Sequence, residues 1–102
     1  MITRVVKMTF KQDDVQKFKQ IFAESAALIQ SFEGCNEVRL MQDKSNESVY
    51  FTLSKWQSEE HLNSYRSSVL FQTTWTKVKP MFSEKAQAWS LLDITPAYDE
   101  TF

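Results

Sequence analysis

Three observations predict an α+β domain with one four-stranded antiparallel sheet and its helices on a single face. Short runs alternate apolar and polar residues with period two, longer runs repeat at helical spacing, and the runs follow one another as strand, helix, strand, strand, helix, strand. With right-handed crossovers this order is a ferredoxin-like βαββαβ topology.

Ile2 to Phe10 reads as the first strand, with Val6, Met8 and Phe10 on one face and Val5, Lys7 and Thr9 on the other. Asp13 or Asp14 is expected to supply an N-cap carboxylate to the helix that follows. In that helix Val15, Phe18, Phe22, Ser25, Ile29 and Phe32 recur at steps of three and four, and Ile21 and Leu28 widen the stripe. Gly34, the only glycine, is expected to end it in the left-handed conformation.

Asn36 to Asp43 reads as the second strand, Lys44 to Ser48 as a polar hairpin turn and Ser48 to Ser54 as the third strand, with Val49, Phe51 and Leu53 on one face. Ser58, followed by Glu59 and Glu60, marks a second helix start, a hydroxyl cap with two acids at the positive end of the dipole. That helix is expected to break around Ser67 and Ser68, resume to Lys79 and stop at Pro80. Lys85 to Ile94 is the fourth strand. Phe10 and Trp56 are each followed, at the same distance, by an acidic pair, a faint echo between two halves.

The chain of 102 residues fits one domain, 1–94, with 95–102 as a C-terminal tail. The tail, with Pro96, Tyr98 and Phe102, either frays or crosses onto a partner. A net charge of -1 with scattered cations argues against nucleic acid and against an anionic membrane surface. The charged start is not expected to serve as the apolar region of a signal peptide, no apolar run is long enough to span a bilayer, and one cysteine cannot form an internal disulfide. A soluble protein of the reducing cytoplasm is the expectation.

Both faces of the strands carry apolar bulk: Val5 beside Val6, Tyr50 beside Phe51, and Leu91 beside Leu92 with Trp89 near. A sheet with one wet face should alternate instead, so a second copy is expected to cover the open face and form a homodimer. Glu37, Arg39 and Thr52 are expected to supply the polar part of that interface.

From Trp56 to Pro80 the chain sets Tyr65, Phe71 and Trp75 one or two helical turns apart, just after a strand. These rings either fill the core or wall a cleft for a flat apolar guest. Arg66, next to Tyr65, is expected to point elsewhere, because neighbours on a helix do not share a face. His61, in the first turn after a cap, reads as a solvated or capping residue, and Cys35 as a structural thiol. One histidine, one cysteine and one glycine offer neither a metal-ligand spacing nor a phosphate-binding loop, so no metal, flavin or nucleotide cofactor is expected.

The whole pattern, with Phe32-Glu-Gly-Cys35 after the first helix, Trp56-Gln-Ser-Glu-Glu-His-Leu62, and Tyr65-Arg-Ser-Ser-Val-Leu-Phe71, resembles the antibiotic biosynthesis monooxygenase family. The resemblance covers nearly the whole chain and implies a dimeric α/β barrel, in a family with cofactor-independent oxygenases and haem-degrading enzymes. It places Val6, Tyr65 and Trp75 at the asparagine, tryptophan and axial histidine of the haem-degrading members. None of the three matches, and an indole has no lone pair for iron, so haem is not expected. Other members carry a histidine where Tyr65 stands.

Cofactor-free oxygenation, as the resemblance implies it, starts from a phenol or hydroquinone anion that passes an electron to dioxygen. The protein then supplies an apolar cleft and a donor for the oxygen that carries charge. Tyr65 is the candidate donor, with Phe71, Trp75 and Val6 as the candidate substrate-binding residues. The resulting reading is a monooxygenase acting on an aromatic or quinol-type small molecule. The alternatives are a non-catalytic dimeric binding or sensing protein of the same fold, and an RNA-recognition module. The last lacks its signature, since the third strand has no basic, glycine and aromatic alternation.

Overall fold

Alternation along four strands builds the sheet, and two amphipathic segments cover one side of it. The computed structural model describes residues 1–95, in the order β1 (Ile2–Thr9), α1 (Val15–Gln30), β2 (Cys35–Gln42), β3 (Val49–Trp56), α2 (Glu59–Arg66), α3 (Val69–Val78) and β4 (Gln87–Leu92). All pairings are antiparallel and the spatial order is β2-β3-β1-β4. This is the ferredoxin-like topology, as an open sheet that does not close on itself within one chain. The tail's expected crossing to a partner falls on 96–102, outside the described residues.

Register fixes which side chains meet. Ile2 pairs with Trp56, Arg4 with Ser54, Val6 with Thr52 and Met8 with Tyr50, and these pairs lie on the helix-covered face. Val5 with Leu53 and Lys7 with Phe51 lie on the other.

Two apolar clusters hold the helices down. One gathers Met8, Phe10, Phe18, Tyr50, Val78 and Met81, with Phe10 and Phe18 stacked at 4.1 Å between ring centroids. The other gathers Ile29, Trp56 and Leu62. Phe10 and Trp56 are almost wholly buried, each ends a run facing the helices, and each precedes a helix. The sequence echo between them thus marks one anchor per cluster, and truncating either ring to alanine costs about 3–5 kcal/mol.

Local chemistry explains the boundaries. Ser25, buried on the inner stripe of α1, donates to the Ile21 carbonyl at 2.8 Å, so the helix satisfies its own polar group. Asp43 Oδ1 accepts from the backbone N–H groups of Ser45 and Asn46, tying the β2–β3 turn. Ser58 caps α2 by accepting from His61 N–H, and Ser68 caps α3 by accepting from Phe71 N–H. The break at Ser67 and Ser68 therefore comes from a second N-cap within one helical stretch.

Two expectations about α1 are corrected. Neither Asp13 nor Asp14 makes a side-chain cap; both sit in a short 3-10 turn, Gln12–Asp14, that leads into the helix. The acids favour the dipole without capping it. Gly34 does not end the helix, which stops at Gln30 with Ser31 as a right-handed C-cap. Gly34 instead takes φ +85° in the turn that enters β2, where the His61 side chain packs against the place a Cβ would occupy.

Candidate functional site

Between the two clusters the sheet is not filled. On the helix-facing side of β3 the order is Tyr50, Thr52, Ser54, Trp56: bulk at both ends and small polar residues in the middle. The matching stretch of β1 gives Arg4 and Val6. Small side chains under a helical layer held up at both ends leave a hollow, here a cavity of about 300 Å³. Thr52 lines this cavity, which corrects its assignment to the open face; it shares the parity of Tyr50, not of Phe51.

The cavity brings together all four residues singled out by sequence, Val6 from the sheet, Tyr65 from α2, and Phe71 and Trp75 from α3. Phe71 and Trp75, four residues apart on one helix face, stack with interplanar angle 11° and centroids 5.8 Å apart. Tyr65 stacks on Trp56 at 4.8 Å and meets Phe71 edge-on at 5.3 Å. A run of rings therefore continues from Phe32 through Trp56, Tyr65, Phe71 and Trp75 to Phe82. The middle rings of this series, Tyr65, Phe71 and Trp75, wall the hollow, while Phe32, Trp56 and Phe82 pack with the clusters at its two ends.

Burial pushes the Tyr65 phenol up to about 12, with the nearby Cys35 adding to the effect. It stays protonated through the neutral range and can donate a hydrogen bond. Trp56, wholly buried, satisfies its indole N–H by donating to Ser54 Oγ at 2.9 Å.

The polar lining consists of Thr52, Ser54, Tyr65, Thr74 and Gln87 with two guanidinium groups, which carry its charge. Arg4 and Arg66 both line the cavity, and Arg4 Nη1 donates to Ser90 Oγ at 2.9 Å. Burial, then the like charge of Arg66, lowers the Arg4 guanidinium from its ordinary value, though it remains a cation at neutral pH. Arg66 was expected to point away from Tyr65; it ends α2, where the chain turns into α3, so both reach the cavity. Among the described residues the ion pairs are those of Glu37 with Arg39 and with Lys55, so no carboxylate pairs with Arg4 or Arg66. Sequence reasoning missed Arg4 although its signal was present, an arginine at the same strand parity as Val6, Met8 and Phe10.

Among the described residues the cavity lining holds no histidine, carboxylate, thiol or lysine. His61 is instead part of the α2 cap, with Nδ1 2.6 Å from Ser58 Oγ. Burial raises the Cys35 thiol, against the pull of a hydrogen bond to the Glu37 carbonyl, which makes it a poor nucleophile. Trp75 cannot ligate iron through an indole N–H, and burial keeps the Tyr65 phenol protonated at neutral pH, so neither of these two residues supplies an axial haem ligand.

A family model for antibiotic biosynthesis monooxygenase matches residues 1–77. The chain belongs to the antibiotic biosynthesis monooxygenase family. The matched segment carries β1 through most of α3, and so includes Val6, Tyr65, Phe71 and Trp75. No curated protein matches the sequence.

Solved structures extend the likeness of the family fold. A conserved protein from Methanosarcina mazei Go1 is similar at TM-score 0.84 and 21% identity, covering 89% of this chain and 91% of that one. SnoaB, a cofactor-independent oxygenase from Streptomyces nogalater, is similar at TM-score 0.83 and 14% identity, covering 96% and 97%. PA3566 from Pseudomonas aeruginosa is similar at TM-score 0.81 and 13% identity, covering 92% and 94%. At these identities the likeness is one of fold.

Proposed function

We propose that this family member is a cofactor-independent monooxygenase of an aromatic or quinol-type small molecule, working as a homodimer in the cytoplasm. The observation that carries the reading is the cavity itself, a largely apolar hollow walled by Phe71 and Trp75, with the Tyr65 phenol, two arginines and a few small polar side chains in its lining. Such a space suits a flat ring, with few polar contacts to orient it. Val6 forms part of the sheet-side floor, Phe71 and Trp75 stack on the ring, and Tyr65 donates to the oxygen on which charge develops. The substrate supplies the electrons that reduce dioxygen. Membership of the family, and a fold shared with a cofactor-independent oxygenase, support the assignment.

The homodimer draws on the open face. Trp89, Leu91 and Met41 there are between 43% and 49% exposed, beside Val5, Phe51 and Leu53. A contiguous apolar surface of that kind is covered in stable proteins, and a second copy needs on the order of 1,200 Å² of total buried area. Glu37, with Arg39 at 2.6 Å and Lys55 at 3.3 Å, supplies a charged edge. For location, no described helix is long and apolar enough to cross a membrane, and the free thiol of Cys35 suits a reducing compartment.

One observation favours a second reading. Among the described residues the cavity lining offers no histidine or carboxylate to accept a proton near neutral pH, which fits a protein that binds or senses a small aromatic molecule without converting it. Oxygen uptake with a panel of hydroquinones and polyphenols separates the two. Uptake above buffer that falls about 100-fold in Tyr65→Phe supports catalysis with Tyr65 as the donor. Saturable binding without uptake for any compound supports the sensor.

A further inference from the structure

We infer that the cavity takes its aromatic ligand as an anion, with an ionised oxygen acid on the ring seated between Arg4 and Arg66. The inference rests on reading the cavity as an aromatic site and adds the charge of its occupant.

The argument starts from a cost. Arg4 is half-buried at the cavity and is repelled by the like charge of the more exposed Arg66, and a fold keeps a cation in such a place at a penalty unless an anion offsets it. Arg4 comes from the middle of β1, where its neighbours of the same parity are Ile2 and Val6, a position an apolar residue would otherwise fill. Arg66 comes from the last turn of α2, so the two cations approach from the floor and the roof of one space. Neither has a carboxylate partner among the described residues, although Glu37 neutralises cations elsewhere on the sheet.

Arg4 is also held in place. Its bond to Ser90 Oγ uses one guanidinium nitrogen and leaves others for a ligand, and a guanidinium fork matches a carboxylate or an enolate oxygen. The aromatic walls at Phe71 and Trp75 then face the body of the same ligand. An occupant that arrives already ionised also removes the need for a base, which the described lining residues do not provide.

Isothermal titration of the full chain with 2-naphthoate and with its neutral amide tests this. The expected result is tighter binding of naphthoate, with the preference falling about 10- to 100-fold in Arg4→Gln and in Arg66→Gln and falling less in the lysine variants. Amide affinity should change little in the same proteins. Lawsone, a hydroxynaphthoquinone ionised at neutral pH, is the second arm and separates an enolate site from a carboxylate site. Tighter binding of either anion than of the amide supports the inference. Far-ultraviolet circular dichroism of each variant checks folding, and Arg66→Gln, at an exposed helix end, covers the case in which Arg4→Gln does not fold. Equal affinity for both anions and the amide overturns the anion inference and leaves the aromatic cavity intact. Binding of none of the three overturns both.

Discussion

The Tyr65 ring lies 4.8 Å from that of Trp56 and only 24° from parallel, so the phenol at the cavity wall is braced by the most deeply buried large side chain among the described residues. The stack couples a site residue to the core. Removing the ring should therefore disturb folding, whereas removing only the hydroxyl should not.

That distinction yields a pH prediction. Burial raises the Tyr65 phenol from 10 to about 12, so between these values the unfolded chain has lost a proton that the folded chain keeps. Stability from this group is fully present below about pH 10 and is lost as pH rises towards 12. The loss is about 2–3 kcal/mol for a shift of this size. Urea unfolding between pH 9 and 12 should show Tyr65→Phe losing that much less stability than the parent, while the two match at pH 7. Parallel declines would mean that Tyr65 ionises as freely in the fold as outside it.

Gly34→Ala should destabilise the chain by more than about 2 kcal/mol, because a left-handed backbone alone costs about 1–2 kcal/mol for an L residue and the new methyl also meets His61. His61→Ala in the same chain should not rescue it, since the His61 Cβ itself stands against the added carbon. A full rescue in thermal melts would show that the imidazole alone sets the clash.

At the open face, Leu53→Arg places a charge opposite Val5, in the row that also holds Trp89. If two sheets pack there, the dimer should weaken by about 100-fold or more, as for a buried hot-spot residue. Sedimentation equilibrium reads this directly. A parent that runs as a monomer at tens of micromolar removes the dimer from the account.

The fold was largely legible because each element announced itself by a different local device. β1 showed parity, α1 showed a stripe beginning at Val15, Ser58 showed a hydroxyl where a cap was needed, and Ser67 and Ser68 showed a break, which the structure resolves into a second cap at Ser68. Gly34 was misplaced because a single glycine after a helix fits either a helix end or the next turn, and the helix here already stops at Gln30, with Ser31 as its C-cap. Asp13 and Asp14 misled for a similar reason: an acid near a helix start serves the dipole without making a cap.

The site was half legible. Tyr65, Phe71 and Trp75 stood out by helical spacing, and the structure places all three at one cavity with Val6. Thr52 and Arg4 were harder to see, because a polar residue on an inward strand position reads as an exception until the register shows it beside a hollow. Arg66 was lost to a rule for continuous helices that fails at the last residue before a break.

The three tryptophans supply the most direct test of the central claim, that a planar ligand enters the space between sheet and helices. Trp56 sits in the core, Trp75 at the cavity and Trp89 on the open face. Their indole N–H signals can be assigned by single Trp→Phe replacements and followed by nuclear magnetic resonance while a naphthoate or hydroquinone is added. The account predicts a saturable shift of the Trp75 signal with Trp89 unmoved. Saturable movement of Trp89 alone, or no saturable movement of any of the three, would contradict it.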